Sequence, residues 1–289
     1  MNKLVSAIIT THNRKNLLKR AIKSVFYQTY ANIELIVVDD SSDDGTLDVC
    51  KDSRIKYIYI PKEESRGGNY ARNIGIKAAK GDYCAFLDDD DYWLPTKIEK
   101  QVTLIECRDC ELVHCGQRLE IVDNLKSIRN KDKFPRKAQG GNMSKRILFT
   151  IATTTSCILC KRSALLDVGM FDEGLKFWQE YELTIRLAQR KPFYYVDEPL
   201  TVYRIDTKDK GRLTNKFYDW KNAVQYVYNK HITIYNQLSF FERIAVKMRY
   251  LNDARLRSKG AGLHLCYLVL TMISFPVRSY LYLMEKGSI

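Results

Sequence analysis

The chain has 289 residues, 45% of them apolar and 28% charged, with only 14 Gly and 6 Pro. That composition excludes a disordered, collagen-like or low-complexity polymer and leaves enough apolar material for a substantial core. The formal net charge is +13, and it is unevenly placed: residues 1–100 hold 16 basic and 15 acidic side chains, residues 101–289 hold 31 and 19. An excess of this kind suits nucleic acid, an anionic membrane or an acidic substrate. No recognised nucleic-acid motif accompanies it, so nucleic acid is not an expected partner. The apolar stretch Leu4–Ile9 is too short for a signal-peptide core and leads to the expectation of a cytoplasmic protein. Eight cysteines are too sparse for a disulfide scaffold. Cys107-x2-Cys110 and Cys157-x2-Cys160 have the spacing of zinc ligands, but the second pair falls in a strand-like run, Thr153–Leu159, where residues three apart point to opposite faces.

In chain order, Leu4–Thr10 reads as a buried strand, followed by a helix over Asn16–Gln28 with Leu17, Leu18, Ala21, Ile22, Val25 and Phe26 at helical spacing. Ile33–Val38 is a second apolar, β-rich run ending in carboxylates. Leu47–Lys51 suggests a short helix, Ile55–Ile60 a strand, Asn69–Ala79 a helix and Tyr83–Leu87 a strand that again ends in acids. Strands alternating with helices predict an α/β fold with a mostly parallel sheet covered on both faces. Ligands of such sheets bind beyond the carboxyl ends of the strands, where Thr10–Arg14, Asp39–Asp40 and Asp88–Asp91 fall. Further on come a helix to Cys107, a strand at Leu112–Cys115, a polar basic loop over Lys126–Gln139, a strand at Thr153–Leu159 and helices at Arg162–Val168 and Tyr181–Gln189. Phe240–Lys259 reads as a basic helix, and Gly260–Val277 is a run of 18 uncharged residues.

Four adjacent carboxylates, Asp88-Asp89-Asp90-Asp91, follow the apolar Phe86-Leu87 and precede Tyr92-Trp93-Leu94-Pro95. Packing them together is costly unless a divalent cation is bound; hard oxygen ligands suit Mg2+ or Mn2+, which keep coordination positions for substrate phosphates. Asp39-Asp40-Ser41-Ser42-Asp43-Asp44-Gly45 resembles the start of a calcium loop, but Lys51 occupies the position that needs a bidentate Glu. It reads better as a strand-end carboxylate facing a ligand, then a turn into a helix capped by Asp44 or Thr46. No G-x-G-x-x-G follows the first strand and no G-x-x-x-x-G-K-[ST] occurs, which removes dinucleotide-binding and P-loop phosphate cradles.

The ordered segments Val5–Arg14, Val37–Thr46, Ala71-Arg72-Asn73-Ile74-Gly75 and Phe86–Pro95 resemble glycosyltransferase family 2, with the GT-A fold, over about residues 4–205. The resemblance implies that Thr10, His12 and Asp40 hold the nucleobase, usually uracil, and that Arg14 and Arg72 lie near the donor's ribose or diphosphate. Asp88-x-Asp90 matches the family's DXD motif, which makes Asp88 and Asp90 metal ligands for Mn2+ or Mg2+ and turns Asp89 toward the ribose. Trp178-Gln179-Glu180-Tyr181-Glu182 stands where the family carries an acidic pair. Glu180 matches the catalytic position, with Trp178 and Gln179 as acceptor-side candidates, whereas Glu182, two residues on, would face away on a helix. Inverting transfer would use the metal for the leaving diphosphate and Glu180 as general base.

These readings divide the chain into a donor-binding half at 1–100, an acceptor-binding half of the same domain at 101–212 and a basic helical extension at 213–289. Residues 242–289 contain eight Lys or Arg and three Asp or Glu, with Tyr267, Phe275, Tyr280 and Tyr282 interleaved. That pattern suits a helix lying on an anionic membrane surface, peripheral on the inner face of the plasma membrane, near a lipid-diphosphate-linked glycan acceptor. A homodimer is left open. With all motifs before Pro95 and the proposed base at Glu180, a chain ending near Ser239 is expected to keep its chemistry. Two alternatives differ in kind: a non-catalytic carbohydrate-binding or membrane-binding relative would not need both Asp90 and Glu180, and a sugar nucleotidyltransferase would open with a Gly-rich basic loop where Thr10–Arg14 stands.

Overall fold

The computed structural model describes residues 3–123, 126–208, 217–258 and 264–273. Strands β1 (Val5–Thr11), β2 (Ile33–Asp40), β3 (Ile55–Ile60) and β4 (Tyr83–Asp88) alternate with helices α1 (Lys15–Phe26), α2 (Thr46–Val49) and α3 (Gly68–Ala78). After β5 (Tyr92–Trp93) and α4 (Lys97–Glu106) come β6 (Leu112–Asp123), β7 (Lys126–Lys133), β8 (Leu159–Lys161), α5 (Arg162–Asp167), α6 (Gln179–Ala188) and β9 (Tyr194–Asp206). The helices α7 (Phe217–Lys230), α8 (Ile232–Asn236), α9 (Phe240–Arg257) and α10 (His264–Ile273) follow. One sheet runs through the body in the order β3-β2-β1-β4-β8-β6-β9-β5, with β7 paired to β6. The β3-β2-β1-β4 half is parallel, β8 enters antiparallel between β4 and β6, and β6 pairs β9 in parallel.

The central strands are predominantly apolar because each face is covered. In β1, Ala7 and Ile9 join α1 and α4 on one side, while Ile8 packs with Ile36, Phe86 and the α3 and α6 side chains on the other. Helix α3 lies so close to β1 that a Cβ on Gly75 would stand 2.5 Å from Ile8 Cγ2.

Three local expectations are corrected. Lys126–Gln139 is not a loop throughout: Lys126–Lys133 forms a hairpin with an extended β6. Its described side chains, from Ile128 to Lys133, stand in solvent, so no apolar alternation marks it. Thr153–Leu159 is not a strand throughout, since Thr155–Cys157 forms a 3-10 turn before β8. Cys157 therefore sits in the turn and Cys160 in the strand. Neither Asp44 nor Thr46 is the N-cap of α2: Gly45 holds that position in the left-handed region, at φ 80°, while the Asp44 carboxylate accepts from the backbone N–H of Thr46 and of Lys15, the first residue of α1.

The segment after Asp206 is built into the body. Phe217, Trp220, Ala223 and Val227 of α7 and Val246 and Ala254 of α9 belong to the same core as Ile8 and Phe86. No helix among the described residues is long and apolar enough to cross a membrane, and the run Gly260–Val277 lies partly outside the described residues.

Candidate active site

The carboxyl ends of β1, β2 and β4 open into a cavity of about 500 Å3. Thr10, His12, Arg14, Asp40, Arg72, Asp88, Asp89, Asp90, Trp178, Gln179 and Glu180 all line it, so every site residue named from the sequence is brought together. Strand alternation explains the split between two adjacent acids. Asp39 turns into the protein, accepting from Tyr57 Oη at 2.7 Å and Ser42 N at 2.9 Å, and its neighbour Asp40 lines the cavity. Asp40 Oδ1 is buried without a donor among the described residues. His12 Nδ1 donates to the Asp40 carbonyl at 2.5 Å, which binds the loop after β1 to the end of β2. Asn13 N donates to Ser42 Oγ and Asp43 N donates to Asn13 Oδ1, both at 2.8 Å, to complete that tie.

The four aspartates after β4 do not act as a set. Asp91 N donates to the Asp88 carbonyl at 3.0 Å, closing a turn that sends the side chains apart. Asp88 accepts from Arg72 Nη2 at 2.7 Å and Asp90 from Arg14 Nη1 at 3.2 Å. Asp89 is buried, accepting from Thr11 Oγ1 at 2.9 Å and Arg14 Nη1 at 3.2 Å. Burial pushes its carboxyl up to about 6 against the pull of Arg14, with Asp90 adding to the rise. Asp91 points away from the cavity into the core, where burial, with Asp90 and Asp88 nearby, holds its carboxyl well above the ordinary range. It accepts from Ser156 Oγ at 2.6 Å, and the same hydroxyl accepts from Asp88 N at 3.1 Å. Asp91 and Ser156 therefore hold the turn that carries Asp88. Arg20 Nη2 donates to the Asp90 carbonyl at 2.7 Å and fixes the other side.

Asp88 and Asp90 each keep about a third of the side chain exposed, 32% and 30%. As hard oxygen donors on a roomy cavity they fit a Mg2+ or Mn2+ ion that completes its shell with phosphate oxygens and water. No cluster of three or more His, Cys, Asp or Glu side chains suited to a metal occurs among the described residues.

The opposite wall is the start of α6. Trp178 has φ 55°, a left-handed conformation that costs a non-glycine residue about 1–2 kcal/mol, and its carbonyl accepts from Glu182 N at 2.9 Å to open the helix. Asn13 and Ser41, at φ 53° and 64°, share that conformation at the ends of β1 and β2, so strained backbone gathers around the cavity. The Trp178 ring stacks on Tyr250, meets Tyr181 and Trp220 edge-on and lies 4.8 Å from the Arg249 guanidinium. Gln179 Oε1 accepts from Arg72 Nη1 at 2.8 Å, so one guanidinium bridges the acid turn and α6. Burial raises the Glu180 carboxyl above its ordinary range, with Asp88 adding to the rise and Arg72 and Arg257 opposing it. Glu182, two residues on, is fully buried and accepts from Arg186, Lys230 and His231. It faces away from the cavity, as helix geometry predicts.

Sequence reasoning missed Thr154, Thr155, Lys176, Phe177, Tyr203 and Arg257 on the cavity wall. The threonines were read into a strand, and Arg257 was assigned to a segment without a chemical role. That assignment is corrected: α9 places Arg257 in the same cavity as Glu180, so the segment after Ser239 does contribute to the site.

The family-wide model of Glycosyl transferase family 2 matches residues 6–169. An uncharacterized glycosyltransferase of Rickettsia prowazekii is 33% identical over 209 residues, covering 70% of this chain and 64% of the relative. An Escherichia coli relative, UDP-Glc:alpha-D-GlcNAc-diphosphoundecaprenol beta-1,3-glucosyltransferase WfaP, is 48% identical over 106 residues, 36% of this chain and 41% of the relative. The chain thus matches less than two thirds of the length of these relatives. Among solved structures, the mannosyltransferase PcManGT from Pyrobaculum calidifontis in complex with GDP-Man and Mn2+ superposes with a TM-score of 0.60 at 17% identity, covering 99% of this chain and 86% of that one. The likeness extends the GT-A fold across the described body. With a family match over more than half its length and its motifs gathered at one cavity, the chain belongs to glycosyl transferase family 2.

Proposed function

We propose that this protein transfers a sugar from a UDP-sugar to a hydroxyl of a lipid-diphosphate-linked glycan in surface polysaccharide synthesis, with inversion at the anomeric carbon. The observation that carries the reading is the meeting of Asp40, Asp88, Asp90 and Glu180 around one cavity, with acids from β2 and β4 on one wall and an acid from α6 on the other. The undonated Asp40 Oδ1 suits a uracil N–H, because a buried acceptor left unmatched is costly. Asp88 and Asp90 would hold Mg2+ or Mn2+, which when bound supplies Lewis-acid stabilisation of the departing diphosphate. Glu180 takes the proton of the attacking hydroxyl; its raised pKa makes the carboxylate a stronger base than an exposed glutamate. A base on one wall and a leaving group held on the other place attack and departure on opposite faces of the sugar, which is the geometry of inversion. The lipid-linked acceptor is supported by the name of the E. coli relative.

Peripheral membrane attachment is part of the same reading. The outer side of α9 presents Phe240, Phe241 and Leu256, exposed by 72%, 52% and 55%, on a helix that also carries Arg243 and Lys247. Apolar and cationic side chains on one helix suit an anionic bilayer surface. The 1–100 donor half and 101–212 acceptor half are parts of the same proposal, and they share one sheet.

Glu180→Gln tests the chemistry. Turnover with a UDP-sugar and a GlcNAc-diphospholipid is expected to fall by roughly 10²–10⁴ while UDP affinity by calorimetry stays unchanged. Near-normal turnover in that variant would remove Glu180 as the base.

A further inference from the structure

Four cations line the cavity: Arg14, Arg72, Lys176 and Arg257. The first two are engaged with the acid turn, through Asp89 and Asp90 for Arg14 and through Asp88 for Arg72. The other two belong to the wall that carries Glu180. Lys176 is exposed and precedes Phe177 and Trp178 on the approach to α6. Arg257 ends α9 with its guanidinium 6.0 Å from the Phe177 ring and 5.9 Å from the Trp220 ring.

The placement of Arg257 follows from how α9 docks. Val246, Arg249, Tyr250, Ala254 and Arg257 recur at helical spacing along one side. Val246 and Ala254 are buried in the core, and the Arg249 guanidinium lies 4.8 Å from the Trp178 ring and 4.2 Å from the Tyr181 ring while its Nη1 donates to the Leu148 carbonyl at 2.9 Å. A helix fixed at these points delivers its last side chain into the cavity. Helix C-termini favour cations, which supports the position without explaining why it opens onto the site.

We propose that Lys176 and Arg257 form a binding site for a phosphate or diphosphate group beside Glu180, separate from the aspartates that would hold the metal. A multiply charged anion next to a carboxylate needs nearby cations to offset the repulsion, and a planar guanidinium can pair with two phosphate oxygens at once. The group could come from either substrate of the proposed reaction, since the donor and a lipid-linked acceptor both carry a diphosphate. The base-side location favours the acceptor, and that preference rests on Glu180 being the base. Helix α9 would then sense the anionic end of the acceptor while the sugar's hydroxyl lies at Glu180.

The test uses the full-length chain, with Lys176→Gln, Arg257→Gln and the double variant, after thermal melts show that each folds. Lys176 is exposed, so its variant stays informative if Arg257→Gln loosens α9. Acceptors are GlcNAc on a short-chain prenyl diphosphate and the octyl glycoside of GlcNAc. The expected result is a rise of about tenfold in KM for the diphosphate acceptor in each single variant, with the octyl glycoside KM and UDP affinity unchanged in Lys176→Gln. A loss of UDP affinity with uridine binding intact would keep the phosphate site and assign it to the donor. Unchanged KM for the diphosphate acceptor and unchanged UDP affinity, in variants of an active wild type, would overturn it. If the wild type transfers to neither acceptor, the proposed reaction fails on its own. Calorimetry with inorganic pyrophosphate then decides the site: weaker binding in the double variant supports it, and equal or absent binding in both proteins overturns it.

Discussion

Glu180 and Glu182 stand two residues apart on one helix, and the structure gives them different surroundings, of which the buried one at Glu182 is open to a pH-resolved stability experiment. Glu182 is fully buried, with Lys230 Nζ at 2.9 Å and His231 Nε2 at 3.0 Å from Oε1 and Arg186 Nη2 at 2.6 Å from Oε2. Burial works to raise its pKa, but the hydrogen bonds from His231, Arg186 and Lys230 prevail and lower it from 4.5 to about 2. A depression of that size corresponds to about 3 kcal/mol. The sign follows from linkage: a carboxylate with a depressed folded-state pKa contributes its full stability above about pH 4.5 and loses it as the pH falls toward about 2. Glu182→Gln should therefore reduce the urea-unfolding free energy by roughly 3 kcal/mol at pH 7, and the gap to wild type should narrow steadily below pH 4.5. The assay is equilibrium urea unfolding of both proteins at several pH values between 7 and 3. A loss under 1 kcal/mol at pH 7, or a gap that stays constant down to pH 3, would refute the reasoning.

Two further outcomes are expected. Asp90→Ala should abolish metal-dependent UDP binding in calorimetry with Mn2+ or Mg2+ and leave the melting temperature within a few degrees, because the residue lies on a partly exposed turn; an unchanged metal dependence would remove Asp90 from the site. A chain ending at Ser239 should melt well below the full-length protein, since it loses the buried Val246 and Ala254 and uncovers Trp178 and Tyr181, and an equal melting temperature would show that α9 is dispensable.

The wall formed by the ends of β1, β2 and β4 was legible because its signals are local. Each strand that ends in an acid is a short continuous run, and strand alternation within Asp39-Asp40 decides which carboxylate faces out. The α6 wall was legible as far as Glu180 and Glu182, whose opposite orientations follow from helical geometry. The burial of Asp91 was not legible because the turn that directs its side chain inward depends on Ser156, 65 residues later, and no local pattern encodes that contact. Arg257 was missed for the same reason, as its neighbours Phe177 and Trp220 are remote in sequence. The β7 hairpin escaped notice because backbone pairing holds it and its described side chains meet solvent.

The contact between Gly75 and Ile8 bears on the geometry of the cavity. A methyl group on residue 75 would stand 2.5 Å from Ile8 Cγ2, against an ordinary carbon–carbon contact of about 3.5–4.0 Å, so α3 would have to back away from β1 by about 1 Å. Arg72 lies one turn earlier on that helix, and such a retreat would strain its 2.7 Å bond to Asp88 and 2.8 Å bond to Gln179. The bare backbone at position 75 thus lets α3 lie close to β1, so a residue with no side chain of its own helps hold Arg72 where one guanidinium reaches both the acid turn and the helix of Glu180.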